Sequence, residues 1–225
     1  MSMQNVNLKK HQAILFDLDG TILDTAHDLT MALNKVVQRY HPKKEFTLAE
    51  ARRAIGYGSE TILKELLPEY LPTIDLIEFR DAFREAYTLE AHNSTTLFEG
   101  MAELLAELNT RQIPWGIVTN KTEAGAKQAV NHFKLLQNAQ CIVGCDTTGY
   151  PKPAPEPLLH ACQQIEMLPS QCLFVGDTVI DMEAAHHAKL ASLAVDYGYG
   201  TQDIINGKFP PFAWIKSPLE VLNYI

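Results

Sequence analysis

Short apolar runs alternate with helix-length amphipathic segments along most of this chain of 225 residues. The runs are rich in β-forming residues and span 13–16, 115–118, 140–143, 172–175 and 192–195. Apolar residues at spacings of three and four predict intervening helices at 99–110, 122–133, 156–165 and 179–189. This alternation predicts an α/β fold with a parallel sheet and right-handed crossovers.

One connection, between the first strand and the helix near residue 99, is too long for a loop without structure of its own. Periodicity predicts helices inside it at 28–39, 48–55, 60–67 and 74–91. The segment TLAE at 47–50 is typical of a capping box. We therefore expect an all-helical domain inserted at 25–92, and a discontinuous main domain formed by 1–24 and 93–225. Asp24 and residues 92–95 are candidate hinges.

Composition excludes several classes of partner. The chain has 46% hydrophobic residues, a net charge of −8 and no dense basic run, so we expect a folded core and no nucleic-acid partner. Residues 1–11 lack a signal-peptide pattern and no apolar run approaches membrane-spanning length, which predicts a cytoplasmic protein without a membrane partner. The four cysteines form no C-x-x-C pair, and we expect reduced thiols.

The segment DLDGT at 17–21 directly follows the first predicted strand. Its side chains therefore lie at the carboxyl end of the sheet, where open α/β folds bind ligands. Such segments also occur in turns and in calcium-binding EF-hand loops. The EF-hand alternative fails because it needs glycine at Ile22, glutamate at Asp28 and a helix before Asp17.

A second acidic segment, GDTVID at 176–181, also follows a predicted strand and opens a helix. If the two strands are neighbours, Asp17, Asp177 and Asp181 form one acidic cluster. Carboxylates this close repel one another unless a hard cation neutralises them, and an all-oxygen set indicates Mg2+ rather than Zn2+. Helix capping would explain Asp177 alone but would leave Asp17 and Asp19 without a role.

Two further polar segments supply candidate phosphate ligands. Thr119 and Asn120 follow the strand at 115–118 and precede a helix whose free amides can bind a phosphoryl oxygen. Residues of these types at the end of a strand usually form a turn or cap the next helix. Lys152 precedes a proline-rich loop that fixes where its ammonium group points. An acidic protein needs such a local positive charge to bind phosphate.

In this order, the four segments resemble the four motifs of the haloacid dehalogenase superfamily across nearly the whole chain. The resemblance implies a Rossmann-like core with an inserted helical cap of the first type. It implies that Asp17 attacks phosphorus to form an aspartyl phosphate, and that Asp19 acts as acid and then as base. It also implies Mg2+ bound by Asp17, Asp177 and the backbone carbonyl of Asp19, with Asp181 holding metal-bound water or orienting Lys152.

The same resemblance implies that Thr119, the backbone amide of Asn120 and Lys152 stabilise the phosphoryl charge. Within the superfamily the chain is most similar to the phosphoglycolate phosphatase branch, partly through RRAIGYG at 52–58. In that segment Arg53 would reach a substrate carboxylate and Gly56 would shape a loop facing the site. The alternative is that these arginines are solvated and the glycines end a helix.

The predicted activity is Mg2+-dependent hydrolysis of a small phosphate monoester, with 2-phosphoglycolate as the first candidate. Related enzymes act on sugar phosphates such as N-acetylmuramic acid 6-phosphate, or on pyrophosphate. A phosphomutase shares the nucleophile and the metal, and stays an alternative. A phospho-aspartate signalling receiver is disfavoured because Asp19 and the helical insert have no place in it. We expect a monomer or a homodimer.

Overall fold

The computed structural model describes residues 11–225, so most of the prediction for residues 1–11 lies outside the described part of the chain. The strands of the described part are β1 (Ala13–Phe16), β2 (Leu23–Asp24), β3 (Thr96–Leu97), β4 (Trp115–Val118), β5 (Ile142–Val143), β6 (Cys172–Gly176), β7 (Ala191–Val195) and β8 (Ala213–Ile215). Six of them form a parallel sheet in the order β5-β4-β1-β6-β7-β8, which confirms the predicted α/β class. The short edge strand β8 is absent from the sequence prediction.

Strand β1 lies inside the sheet, between β4 and β6. Leu15 is opposite Gly116 of β4 and Phe174 of β6. The segments 17–21 and 176–181 therefore follow neighbouring strands, as the sequence analysis required for an acidic cluster. All four residues of β1 are fully buried, because helices cover both faces of the sheet.

Helices flank the sheet and also form a separate layer above its carboxyl end. Their bounds in the described part are α1 (Ala26–Tyr40), α2 (Leu48–Gly56), α3 (Ser59–Leu66), α4 (Leu76–Glu90), α5 (Met101–Thr110), α6 (Glu123–His132), α7 (Glu156–Gln164), α8 (Val179–Ala188) and α9 (Thr201–Ile205). We call α1–α4 the helical cap. Its helices share an apolar core of their own, centred on side chains such as Leu33, Ile62 and Phe79.

The predicted capping box is present at the start of α2. The backbone N–H of Thr47 donates to Glu50 Oε2 over 2.8 Å, and the Thr47 hydroxyl oxygen accepts from the N–H of Glu50 over 3.4 Å. Lys189 ends α8 with a φ of 61°. It therefore adopts the left-handed C-terminal conformation that glycine favours, at a cost of about 1–2 kcal/mol.

The chain enters and leaves the helical cap at one place. Strands β2 and β3 pair there in antiparallel fashion, with Asp24 opposite Thr96, and we call them the crossing sheet. The buried carboxylate of Asp28 accepts hydrogen bonds from the N–H groups of Ser94 and Thr95, at 2.9 and 3.0 Å, and from the Thr95 hydroxyl at 2.6 Å. The start of α1 is therefore bound directly to the returning segment.

The four cysteines are free thiols, as predicted, and burial raises the pKa of Cys141 to about 12. Such a thiol stays protonated and behaves as an apolar side chain. Within residues 11–225, no helix combines the length and the apolar character needed to cross a membrane.

Candidate active site

Lys152 joins two buried carboxylates at the carboxyl end of the sheet. Its Nζ lies 2.6 Å from Asp17 Oδ1, 2.7 Å from Asp181 Oδ1 and 2.9 Å from the carbonyl oxygen of Val118. The ammonium group thereby uses its three N–H donors. Burial lowers the pKa of Lys152, but the charges of Asp17 and Asp181 raise it by more, so the side chain stays cationic.

The side chain of Asn120 holds the backbone of Lys152 from both directions. Asn120 Nδ2 donates to the carbonyl oxygen of Lys152, and Oδ1 accepts from its N–H, each over 2.9 Å. From the sequence, Asn120 was expected to act only through its backbone amide. The observed contact ties the lysine loop to the end of β4, and so fixes the lysine relative to Asp17.

Asp177 is immobilised by close backbone packing and by two hydrogen bonds. The N–H of Tyr199 donates to Oδ2 over 2.8 Å, and the Thr21 hydroxyl donates to Oδ1 over 3.2 Å. A Cβ at Gly20, whose φ is 90°, would lie 2.3 Å from Asp177 Oδ2, and one at Gly198 would lie 2.2 Å from Asp177 Cβ. Both positions therefore require glycine for this carboxylate to reach the site.

Asp17, Asp177 and Asp181 form the acidic cluster that the sequence predicted. Each offers an oxygen atom, and these atoms lie within 4.8 Å of one another. Burial raises the pKa of Asp17 to about 7, against the opposing charge of Lys152. Burial, together with the charges of Asp17 and Asp181, raises the pKa of Asp177 well above its usual value. Lys152 alone therefore does not balance the cluster, and this buried all-oxygen set fits Mg2+.

Asp181 is less available as a direct metal ligand than Asp177, because it accepts three hydrogen bonds, one of them from an ammonium group, whereas Asp177 accepts two from uncharged donors. Its Oδ1 accepts from Lys152, and its Oδ2 accepts from the N–H and the hydroxyl of Thr178, at 3.0 and 2.7 Å. These contacts support the role of orienting Lys152. They also cap the N-terminus of α8.

Asp19 is paired with Lys121, a residue to which the sequence analysis assigned no role. Lys121 Nζ lies 2.8 Å from Asp19 Oδ2, while Asp19 Oδ1 is buried without a hydrogen-bond partner in the described part of the chain. A lysine after a strand is usually solvated, so its sequence position gave no signal. The buried hydroxyl oxygen of Thr119 accepts from the N–H of Lys121 over 3.2 Å, which leaves its proton to donate to a ligand.

A cavity of about 450 Å³ separates the helical cap from these side chains. From the sheet, its lining includes Asp17, Asp19, Thr119, Asn120, Lys121 and Lys152. From the cap, its lining includes Gly56, Arg80, Arg84 and Tyr87. Arg80 and Arg84 lie one turn apart on α4 and were not found by the sequence analysis, because arginines on an exposed helix carry no distinguishing pattern.

Arg53, unlike Gly56, does not line the cavity. Its Nε lies 2.8 Å from Asp203 Oδ2, and its Nη1 contacts Glu65. Arg53 therefore binds α2 to α3 and to α9, in place of the predicted contact with substrate. The hydrogen bonds and charges of Asp203 and Glu65 raise the pKa of Arg53, so its guanidinium group stays protonated.

The carboxyl end of the parallel sheet carries a nucleophile-bearing loop, an acidic cluster and a lysine, and the helical cap lies above them. This combination defines a class of hydrolase. The sequence profile of the haloacid dehalogenase-like hydrolases matches residues 14–195. The chain belongs to this family.

Relatives with established names include two kinds of phosphatase. The chain is 35% identical to the N-acetylmuramic acid 6-phosphate phosphatase of Pseudomonas putida, over 95% of this chain and 96% of that protein. It is 34% identical to a phosphoglycolate phosphatase of Nitrosospira multiformis, over 84% of each chain. Similar solved structures include a haloacid dehalogenase-like family hydrolase of Streptococcus pneumoniae, with a TM-score of 0.81, 25% identity and coverage of 95% of this chain and 98% of that one.

Proposed function

We propose that this protein is a Mg2+-dependent phosphatase that hydrolyses a small phosphate monoester through an aspartyl phosphate on Asp17. The observation that carries the proposal is the position of Asp17, bound by Lys152 on the cavity floor beside the half-paired carboxylate of Asp19. This arrangement brings a nucleophile, an acid–base group and a cation to one point.

The reaction follows from these positions in two steps. A carboxylate oxygen of Asp17 bonds to phosphorus as the ester bond breaks, and Asp19 gives its proton to the departing oxygen. Asp19 then takes a proton from the water that attacks phosphorus and releases Asp17. Thr119, the amide of Asn120 and Lys152 stabilise charge on the phosphoryl oxygens throughout.

Asp17, Asp177 and the backbone carbonyl of Asp19 would hold Mg2+ in this site. When bound, the ion neutralises charge on the acidic cluster and on the phosphoryl group. Asp181 keeps Lys152 directed at Asp17, since its Oδ1 accepts from the Lys152 ammonium and its Oδ2 accepts from Thr178.

The leaving group enters from the side of the helical cap, where Arg80 and Arg84 line the cavity. Their only carboxylate contacts in the described part of the chain are with Asp81, at 3.5 and 3.7 Å on an exposed helix surface. Two weakly paired guanidinium groups favour a leaving group with its own carboxylate. 2-Phosphoglycolate is such an ester and is the first candidate substrate.

N-acetylmuramic acid 6-phosphate is the second candidate, and it also carries a carboxylate. The cavity volume of about 450 Å³ falls in the range that encloses ligands much larger than a two-carbon acid. A phosphomutase using the same Asp17 chemistry would instead return the phosphoryl group to a second alcohol.

Phosphate release tests the proposal. We expect Mg2+-dependent release from 2-phosphoglycolate or N-acetylmuramic acid 6-phosphate, and weaker release from analogues of each ester that lack the carboxylate. Replacing both Arg80 and Arg84 by glutamine should remove that preference. The proposal fails if no ester in the panel releases phosphate, and transfer without release would indicate the mutase.

Magnesium should stabilise the protein more at pH 8 than at pH 5.5. The pKa of Asp17 is raised from 3.8 to about 7 in the folded chain. Between pH 3.8 and about 7, Asp17 therefore holds a proton in the folded chain that it has lost in the unfolded chain. Without metal, the stability contribution of Asp17 therefore falls as pH rises through this window. Thermal unfolding of wild type and of Asp17→Asn at the two pH values, with chelator and with Mg2+, measures the stabilisation by the ion. An Mg2+ shift that is equal at both pH values would contradict it.

The division of labour between the two parts of the chain is also a proposal. We assign the chemistry to residues 1–24 and 93–225, and the choice of leaving group to a cap at 25–92 that opens about Asp24 and residues 92–95. The crossing sheet and the Asp28 contacts support this boundary. We further propose that the protein acts in the cytoplasm on a free small-molecule ester, as a monomer or homodimer.

A further inference from the structure

The ion pair between Lys121 and Asp19 lies inside the cavity rather than on the protein surface. The two side chains are only 13% and 19% exposed, and their charged atoms are 2.8 Å apart. Lys121 reaches Asp19 because β4 and β1 are adjacent, so the residues following each strand face each other. A buried ion pair with this geometry fixes both side chains.

This pair divides the two oxygens of Asp19 between different surroundings. Lys121 holds Oδ2, whereas Oδ1 is buried and has no hydrogen-bond partner among the described residues. A protonated carboxyl group still accepts a hydrogen bond at its carbonyl oxygen, so Lys121 can hold either protonation state of Asp19. The unpartnered oxygen is the one left to exchange a proton with a leaving group or with water.

The helical cap contributes to the same pair through Tyr87 on α4. Lys121 Nζ lies 4.3 Å from the centroid of the Tyr87 ring, which is a favourable cation–π distance. Tyr87 also lines the cavity. The ammonium group is therefore enclosed between Asp19 on the core and an aromatic ring on the cap.

We propose that Lys121 is a positioning residue that directs the free oxygen of Asp19 toward the leaving group, and that Tyr87 keeps Lys121 there when the cap covers the site. This inference rests on the proposed function, since it assumes that Asp19 is the acid and base. In the first step the Asp19 proton moves to the ester oxygen as its bond to phosphorus breaks and the bond to Asp17 forms. Lys121 neither gains nor loses a proton.

The test uses a series of substituted phenyl phosphates, in which only the pKa of the departing phenol changes. A poor leaving group such as phenol needs protonation by Asp19, whereas p-nitrophenol does not. Because kcat/KM includes only steps up to the departure of the phenol, it isolates the acid step. We expect Lys121→Met to lower kcat/KM for phenyl phosphate about 10- to 100-fold more than for p-nitrophenyl phosphate.

Three further variants make this result specific. Lys121→Arg should restore most of the lost activity, because it keeps a cation beside Asp19. Lys121→Gln keeps a donor and replaces the methionine variant if that one does not fold. Lys127→Met removes an exposed lysine that pairs with Glu123 on α6, and should leave the leaving-group dependence unchanged.

An equal fall in kcat/KM for every phenyl phosphate would overturn the inference, because a purely structural ion pair would affect all esters alike. Unchanged kinetics in Lys121→Met would overturn it as well. Both outcomes leave the proposed phosphatase intact, since wild type would still turn over. Failure of wild type to release phosphate from any ester would instead overturn the proposed function, and this inference with it.

Discussion

Asp17→Asn is expected to abolish phosphate release, with a loss on the order of 10⁴-fold or more. An asparagine amide keeps the size of the carboxylate but is not a nucleophile toward phosphorus. Folding should be preserved, because Lys152 keeps its contacts with Asp181 and with the carbonyl oxygen of Val118. Steady-state phosphate release, with circular dichroism as a check on folding, measures both expectations.

A matched control is Asp196→Asn, which changes an exposed aspartate directly after β7. It should retain activity within about twofold, as surface substitutions usually do. Acid-quenched wild type should carry one phosphoryl group on Asp17 during turnover, detectable by peptide mass spectrometry, and the Asp17 variant should carry none. Full activity in Asp17→Asn would end the covalent mechanism.

Lys152→Met is expected to damage both stability and activity. It leaves Asp17 and Asp181 buried without their shared cation, which should lower the free energy of unfolding by about 3–5 kcal/mol. Loss of its charge from the phosphoryl group should lower kcat by about 10²- to 10³-fold. Denaturant unfolding at pH 8 and steady-state kinetics measure the two effects.

The loss of stability in Lys152→Met should be smaller at pH 5.5 than at pH 8. The raised pKa of Asp17 means that protonation removes one of the two unpaired charges at the lower pH. Lys127→Met is the matched control, because its ion pair with Glu123 is exposed and worth less than about 1 kcal/mol. A Lys152 variant as stable as this control would show that the carboxylates do not depend on the lysine.

The central sheet could be predicted because its strands are buried on both faces and therefore read as continuous apolar runs. Helices α1–α8 were predicted from apolar residues at spacings of three and four, whereas α9, with only five residues, was not. Strand β8 was missed because it is a three-residue edge strand with an exposed Trp214 at its centre. The two-residue strands β2 and β3 are too short for any periodicity, and only their pairing defines them.

Parts of the candidate site followed from strand order, and parts did not. Asp17 and Asp177 come together because their strands are neighbours, a relation that strand-end motifs can reveal. The contacts of Asn120 with the backbone of Lys152 and of Lys121 with Asp19 join residues far apart in sequence, and no local pattern encodes such pairs. Arg53 was predicted to bind substrate because its actual partners, Asp203 and Glu65, lie outside its own segment and cannot be identified from that segment's sequence.

The crossing sheet has a consequence for how this chain could change over evolutionary time. Asp24 and Thr96 are directly paired, so the two ends of the inserted segment lie side by side. The core is therefore joined at that point whatever the length of chain between these two residues. The entropy of closing a loop grows slowly with its length, so additions to α1–α4 would cost the core little. Mutations that reshape the leaving-group pocket can then accumulate without disturbing Asp17, and one hydrolytic centre can be reused for successive substrates.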